Sequence, residues 1–389
     1  MNSTFGLLLV TGNLTHQEGY ARQFAKDSRC KLIGLTDESD LPDERNILNR
    51  ELAEELDIPY IPSMEEALAR DDVQFVSVCA EPERRGRIGA RCARAGKHVY
   101  IDKPMTPYLD AADDIVGAVR SSEVMSQMFS NITLPWVRRA KKILDSGELG
   151  ELTAIHADGL FAKGPGGTAD LSKPRKQHYP ARDFTFVDSK AEMYAIGVYA
   201  LGLVRWISGR EVENVYCHTA NYFFEEHQRN GVEDFGYLAL NLEDGLTATI
   251  TGGRIGWSGH YAGGTNQVHL IGTRGSLMVD AFHPGIAICS DAPPWTPPEI
   301  NPRDPMGFWS STQREVNCLP KENWSSLPKP EDSKGDENHF LDCLEMNRES
   351  EMNVAQAAKI TEILLAGYKS AATGEVVHLP LPRDQKTPA

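Results

Sequence analysis

The chain has 389 residues, 41% hydrophobic and 24% charged, enough for two globular domains or one large one with an ample core. Its net charge of −15 argues against nucleic acid or an anionic membrane as a main partner. Seven scattered cysteines without a C-x-x-C, no apolar run of membrane-span length and no basic leader ahead of Leu7-Leu8-Leu9-Val10 point to reduced thiols and a cytoplasmic protein.

Phe5 to Val10 is a near-continuous apolar run, as in a parallel strand covered on both faces. A turn, Thr11-Gly12-Asn13-Leu14-Thr15, leads to a helix with Tyr20, Ala21, Phe24 and Ala25 on one face. Lys31 to Thr36 is a second strand, closed by Asp37, and residues 44–56 form an amphipathic helix. Ser63-Met64-Glu65-Glu66 is a capping box opening another helix. Strands at Phe75 to Cys79, Val99 to Ile101 and Val124 to Phe129 then alternate with helices over 83–95 and 108–120. This alternation predicts βαβ units and a doubly wound parallel sheet, a Rossmann-type domain over residues 1–130.

Its nucleotide fingerprint is incomplete. Where G-x-G-x-x-G is expected, Gly12-Asn13-Leu14-Thr15-His16-Gln17 keeps only the first glycine. The helix N-terminus still offers N–H groups to a phosphate. Asp37 ends the second strand at a spacing that suits the acid on a ribose 2′-OH, and equally suits a solvated strand-end acid. Glu38, Ser39 and Asp40 follow, with no arginine for a 2′-phosphate, so NAD is expected over NADP. Lys103, between Asp102 and Pro104, sits at a strand's carboxyl end, the edge where such sheets bind ligands. There it is either a solvated loop residue or a cation aimed into a site.

Residues 134–145 read as a helix ending at Gly147. The period then changes. Leu152 to Phe161, Val212 to Tyr222, Phe235 to Leu242, Leu246 to Ile255, Gln267 to Ile271 and Leu277 to Ala281 read as strands of a large, mostly antiparallel open sheet, joined by tight turns such as Glu243-Asp244-Gly245. One apolar helix, Ala191 to Ile207, packs on one face and leaves the other for a partner subunit, hence a homodimer or homotetramer. Residues 131–389 form this second, α/β domain. Within it, 163–190 is a glycine-, proline- and charge-rich insertion, either a disordered excursion or, as loops of this length favour, a loop over a site, and 290–335 is an extended, proline-rich surface segment. Helices cover 337–348 and 353–372, and Val376 to Leu379 is a last strand. The eleven histidines show no H-x-x-x-H or H-E-x-x-H spacing, so no metal is expected.

The chain resembles the glucose–fructose oxidoreductase, inositol dehydrogenase and MocA (Gfo/Idh/MocA) family. The residues that carry it are A-G-K-H-V-Y-I-D-K-P-M (95–105), Asn131 with Pro135, S-G-E-L-G-E-L (146–152), G-V-Y-A-L-G-L-V-R-W-I-S-G (197–209), I-G-T-R-G-S-L (271–277) and S-A-A-T-G-E-V-V-H-L-P-L (370–381). They run in family order over nearly the whole chain. The resemblance implies a nicotinamide held between the two domains and a sugar or cyclitol substrate. It makes Lys103 the active-site lysine, with Asp102 in place of the usual glutamate. It sets Cys79-Ala80-Glu81-Pro82 under the cofactor and Asn131 near the nicotinamide. The family's D-x-G-x-H reads Ala195-Ile196-Gly197-Val198-Tyr199, so Tyr199 replaces the histidine, as in the sugar-oxidoreductase branch, and the aspartate is lost. Another aspartate is Gly202, and an arginine usual two after Asn131 is Thr133.

Oxidising an alcohol needs a hydride acceptor and a base for the hydroxyl proton. A nearby ammonium favours tyrosinate, so Lys103 and Tyr199 are expected to act as an acid/base pair, Lys103 also stabilising alkoxide charge. Substrate contacts are expected from Glu192, three before Ala195 on the same helix face, from His178 and Tyr179 of the insertion, and from Arg254 and His260 at a strand end, although Glu192 also suits a helix-start carboxylate and the strand-end pair an ordinary hairpin surface. Three functions follow: an NAD-dependent oxidoreductase acting on a sugar, cyclitol or related hydroxy acid; an enzyme using NAD transiently for glycoside cleavage, elimination or epimerisation; or a dinucleotide-binding protein with impaired catalysis.

Overall fold

The structure, a computed structural model, describes residues 4–173, 191–259, 263–280, 285–290, 301–306, 309, 311, 322–326 and 335–383. The chain opens with β1 (Phe5–Val10), α1 (Gln17–Ala25), β2 (Cys30–Thr36), α2 (Asp43–Glu55) and α3 (Met64–Leu68). The N-cap half of the expected capping box forms at α3, where Ser63 Oγ accepts the Glu66 N–H at 3.2 Å. β3 (Phe75–Val78), α4 (Pro82–Arg94), β4 (His98–Ile101), α5 (Leu109–Ser121) and β5 (Ser126–Met128) complete the first unit. Its strands lie in the order β2-β1-β3-β4-β5, all parallel. Leu7 to Val10, Phe75 to Val78 and Val99 to Ile101 are buried throughout, because both faces of the sheet are covered. The winding reverses between β1 and β3, so a crevice opens at their carboxyl ends.

Then come α6 (Pro135–Asp145), β6 (Leu152–Phe161), α7 (Glu192–Ala195), α8 (Gly197–Ser208), β7 (Val212–Ala220), α9 (Glu225–Arg229), β8 (Phe235–Leu242), β9 (Thr247–Arg254), β10 (Gly264–Gly272), β11 (Gly275–Asp280), β12 (Gly285–Ser290), β13 (Glu322–Ser326), α10 (Asp336–Met346), α11 (Val354–Thr373) and β14 (Val377–His378). The second sheet has nine strands in the order β13-β12-β11-β10-β6-β9-β8-β7-β14. Its neighbours are antiparallel except β6 and β9, which run parallel. α8 lies across β6 and β9 and α11 across β7. The approach of α8 is close: a Cβ on Gly252 of β9 would come within 2.8 Å of Gly197 Cα. The opposite sheet face carries half-exposed rings, with Tyr237 6.3 Å from Tyr216 and 6.0 Å from His218.

Three departures from the sequence reading matter for the site. The helix expected over 191–207 is two helices, broken at Ile196 (φ −111°, ψ −44°). A short helix, α9, stands where no element was expected. The chain also returns to its first sheet: Phe340 of α10 is fully buried, 5.7 Å from the Tyr100 ring and 5.9 Å from Phe75. Most of the expected extended segment over 290–335 lies outside the described residues, although 322–326 within it pair with β12. No helix of the described residues is long and apolar enough to cross a membrane.

Candidate active site

A cavity of about 690 Å³ opens at the crevice end of the first sheet and is roofed by the second unit. The ends of β1, β3 and β4 supply one side through Leu14, Thr15 and His16, Cys79 to Pro82, and Asp102 and Lys103. The other side comes from Phe161, Lys163, Glu192, Ala195, Tyr199, Phe224, His227 and Arg254.

The turn after β1 is shaped by its neighbours. A Cβ on Gly12 would lie 2.6 Å from Asn49 Cα, so the pressure of α2 by itself requires glycine there. The Gly12 N–H donates to Asn49 Oδ1 at 2.8 Å. Thr15 Oγ1 donates to the Gly12 carbonyl at 2.8 Å and accepts the Gln17 N–H at 3.0 Å, which starts α1. Leu14 takes a left-handed backbone (φ +61°) with its side chain 63% exposed at the cavity edge. Gly12, Asn13 and Asn131 do not line the cavity. The Asn131 carbonyl instead accepts the Leu134 N–H at 3.3 Å, ahead of α6.

Asp37 corrects the sequence reading. Its side chain is wholly buried and does not reach the cavity. Oδ1 accepts from Arg84 Nη1 at 2.9 Å and the Glu38 N–H at 2.8 Å; Oδ2 accepts from Asn49 Nδ2 at 3.0 Å. Arg84 also donates to Glu81 at 2.7 Å and Glu38 at 2.9 Å, and Arg45 pairs with Glu81 at 3.0 Å. Burial would raise the Glu81 carboxyl, but Arg84 and Arg45 hold it below its usual value. As placed, Asp37 is an arginine-bound structural carboxylate rather than an acceptor presented to a ribose. The arginine absent from the residues after Asp37 arrives from α4.

Asp102 is equally occupied. It accepts from His16 Nδ1 at 3.0 Å, Tyr20 Oη at 2.8 Å, Arg85 Nη2 at 2.8 Å and the Lys103 N–H at 2.8 Å. Burial alone would raise its carboxyl; Arg85, His16 and Lys103 outweigh that and hold it well below the carboxylate range. It thereby fixes the backbone that presents Lys103.

Lys103 is 6% exposed. Its Nζ donates to the Ala195 carbonyl at 2.8 Å and lies 4.4 Å from the centre of the Tyr199 ring. The helix break makes this possible. In a continuous α-helix the Ala195 carbonyl would accept the Tyr199 N–H. Here that N–H turns to Ile196 at 3.1 Å, leaving the carbonyl for the lysine. The acceptor expected from an aspartate at this position is thus supplied by its main chain.

The expected lowering of the Tyr199 phenol is not met. Burial pushes it up, Asp102 and Asp336 add to that, and Arg85 opposes it. The ammonium meets the ring face, where it is held by the π-electrons.

Glu192 lies at the start of α7, 2% exposed. Its Oε1 accepts from His227 Nε2 at 3.2 Å and Arg254 Nε at 2.8 Å. Burial favours the neutral acid, but His227 and Arg254 keep the carboxyl below its usual value. Two of the expected substrate residues, Glu192 and Arg254, therefore meet at the cavity; His178, Tyr179 and His260 lie outside the described residues. Sequence reasoning missed His227, whose only signal was a polar run, Glu225-Glu226-His227, directly after Phe223-Phe224. Among the described residues, no group of three or more His, Cys, Asp or Glu side chains is placed to hold a metal.

Two family models match the chain. One, the oxidoreductase family with an NAD-binding Rossmann fold, matches residues 10–130, and the other, the GFO/IDH/MocA C-terminal domain, matches residues 137–278. The chain is similar to the uncharacterized oxidoreductase YrbE of Bacillus subtilis, 25% identical over 58% of this chain and 61% of YrbE. It is also similar to myo-inositol 2-dehydrogenase of Thermotoga maritima, 21% identical over 64% of this chain and 70% of that protein. The match thus spans about three fifths of the length of YrbE. Among solved structures, the WlbA dehydrogenase of Bordetella pertussis, in complex with NADH and UDP-GlcNAcA, shares the fold. Its TM-score is 0.67 at 18% identity, over 97% of this chain and 100% of that one. The paired models span residues 10–278 save 131–136, in the same order as the two sheets, and the chain belongs to the Gfo/Idh/MocA oxidoreductase family.

Proposed function

We propose that the protein transfers a hydride between NAD and a hydroxyl or carbonyl carbon of a sugar, cyclitol or related hydroxy acid. The observation that carries this reading is the Lys103 ammonium, seated on the Tyr199 ring within a cavity shared by both units. The cradle fits a dinucleotide in two respects. Residues at the N-terminus of α1 line it, where N–H groups and the helix dipole favour phosphate, and the β1/β3 crevice is where doubly wound sheets take nucleotides. Leu14 to His16 and Cys79 to Pro82 would hold NAD, with Lys103 beside its reactive end.

Bound there, NAD supplies the hydride acceptor for oxidation, and NADH the donor for reduction. The chain's own groups handle the proton and the charge. Lys103 stabilises negative charge on the reacting oxygen in a site largely screened from water. The Tyr199 phenol, kept protonated by burial and by Asp102, is set to give its proton to a carbonyl oxygen during reduction. Asp102, tied to Arg85 and His16, positions Lys103. The half-exposed rings on the open face of the second sheet support a homo-oligomer formed through that face.

The test follows absorbance of the reduced cofactor across a panel of sugars, cyclitols and polyols. Turnover is expected with at least one, and a Lys103→Ala variant that keeps full turnover overturns the assignment.

A further inference from the structure

The turn after β1 keeps several of its own donors. The N–H groups of Gly12, Asn13 and Gln17 go to Asn49 Oδ1 at 2.8 Å, the Leu48 carbonyl at 3.3 Å and Thr15 Oγ1 at 3.0 Å. In this position such groups commonly turn to a dinucleotide's pyrophosphate. Side-chain charge does not make up the difference. Along the cavity the first unit sets Glu81, Glu83 and Asp102 against Arg45, Arg85 and Lys103, and these charges cancel. Arg45 is paired with Glu81 at 3.0 Å and Arg85 with Asp102 at 2.8 Å. A pyrophosphate adds negative charge to this wall. His16, which also lines it, is a residue that can gain a positive one.

His16 is the N-cap of α1, so its ring stands at the helix end where phosphate is favoured. Its Nδ1 lies 3.0 Å from Asp102 Oδ1 and 3.1 Å from Oδ2. Burial would raise the Asp102 carboxyl, but Arg85, His16 and Lys103 hold it well below the carboxylate range. Asp102 thus has no proton to give, and Nδ1 carries the one in this bond. Asp102 is 3% exposed and the His16 side chain 53%. Nε2, on the ring edge away from Asp102, has no partner among the described residues. In the neutral ring Nε2 is a bare acceptor and repels a phosphate oxygen; protonated, it is a charge-assisted donor. The groups around the ring are Asp102 with Arg85 and Tyr20 on the same carboxylate, Glu18 in the first turn of α1, and Lys103, whose ammonium turns to the Ala195 carbonyl. Across the cavity the second unit adds Lys163, Arg254, Glu192 and Glu226. We propose that His16 takes a proton from solvent as NAD binds and holds the pyrophosphate through Nε2, so that cofactor affinity falls as pH rises. This rests on the nucleotide-binding reading above and adds the proton to it.

Calorimetric titration of the full chain with NAD, from about pH 6 to about pH 9 and in buffers of different ionisation enthalpy, tests it. The buffer dependence of the heat reports the protons taken up on binding. The wild type is expected to take up a fraction of a proton and to bind NAD about tenfold or more tightly at the acid end, the range of one hydrogen bond to a charged group. His16→Asn keeps a donor near the Nδ1 position for Asp102 and deletes Nε2. It is expected to lose that acid-end advantage and the proton uptake together, and to match the wild type at the alkaline end. His16→Gln sets an amide near the Nε2 position without a titrating group. It is expected to recover part of the acid-end affinity with no uptake, and it carries the same test if His16→Asn folds poorly, as read by the thermal midpoint. Wild-type binding without proton uptake, or uptake that persists in a folded variant, overturns the role of His16 and leaves the cofactor assignment in place. NAD that fails to bind the wild type at any pH overturns both.

Discussion

Two groups of carboxylates, one behind the cavity and one in its wall, handle buried charge in different ways. Near β2, Asp37, Glu38 and Glu81 are closed by Arg84, Arg45 and Arg87, and Asp37 faces no open space. In the cavity wall, Glu192 Oε1 is engaged, while Oε2 and His227 Nδ1 have no partner among the described residues. Compensated charge holds a fold together; Glu192, which lines the cavity, keeps one oxygen outside that compensation. The residue type is the same in both groups, so a carboxylate's role here is read from its partners and not from its position in a motif.

Removing the compensation is the most severe way to break the contrast. Arg84→Met leaves Asp37 wholly buried beside Glu81 with its cation gone. Taking one partner from a buried ion pair costs about 3–5 kcal/mol. Urea unfolding is expected to show a loss of that size at neutral pH. A loss under about 1 kcal/mol would mean that the arginine is held there only weakly and that Asp37 is available to a ribose after all.

A change at the reacting end is expected to spare the fold and strike the rate. Tyr199→Phe removes the proposed proton donor, and a positioned acid is worth roughly 10²–10⁴-fold. The pH profile separates this from a packing effect. With the phenol pushed up, the wild type has little tyrosinate to act as a base near neutrality, so alcohol oxidation is expected to climb steadily into alkaline pH. The phenylalanine variant is expected to lose that climb along with most of the rate. A variant with the wild-type slope would place the proton on another group.

How much of this was legible in the sequence follows the range of each interaction. Strand ends are written locally, as apolar runs stopped by polar residues, and Lys103, Cys79 and Asp37 stand at or just past the strand ends where that reading put them. The Glu81–Arg84 pair is local too, three residues apart on one helix start. The Arg84–Asp37 bond spans 47 residues and depends on how α4 sits beside β2. The contact of the Ala195 carbonyl with Lys103 was hidden for a different reason. It needs a helix interrupted at Ile196, and an unbroken apolar run from Ala191 carries no breaker there beyond Gly197. Phe340 was likewise read only as part of a helix, since nothing in its own segment says that it will return to the first sheet.

A third carboxylate sharpens the contrast, because among the described residues it is buried with no cation beside it and it does not line the cavity. Glu233 is wholly buried behind Glu192, and burial pushes its carboxyl up to about 8 against Tyr368 and backbone donors that pull it down. Its Oε1 accepts from Tyr368 Oη at 2.5 Å and from the Met193 N–H at 3.0 Å, which anchors α7 and therefore Glu192. A folded-state value of about 8 lies above the ordinary value of 4.5, so the native state binds a proton that the unfolded chain releases between those limits. The stability linked to this group is fully present below pH 4.5 and is lost as pH rises through about 8. Between pH 6 and pH 9 the loss amounts to about 2–3 kcal/mol. Glu233→Gln keeps an oxygen for Tyr368 and Met193 without the titration. Its unfolding free energy relative to wild type is expected to rise over that interval and then level off, as read by denaturant titration at fixed pH steps. A difference that stays flat with pH would mean that Glu233 is ionised in the fold, and α7 would then rest on a buried anion.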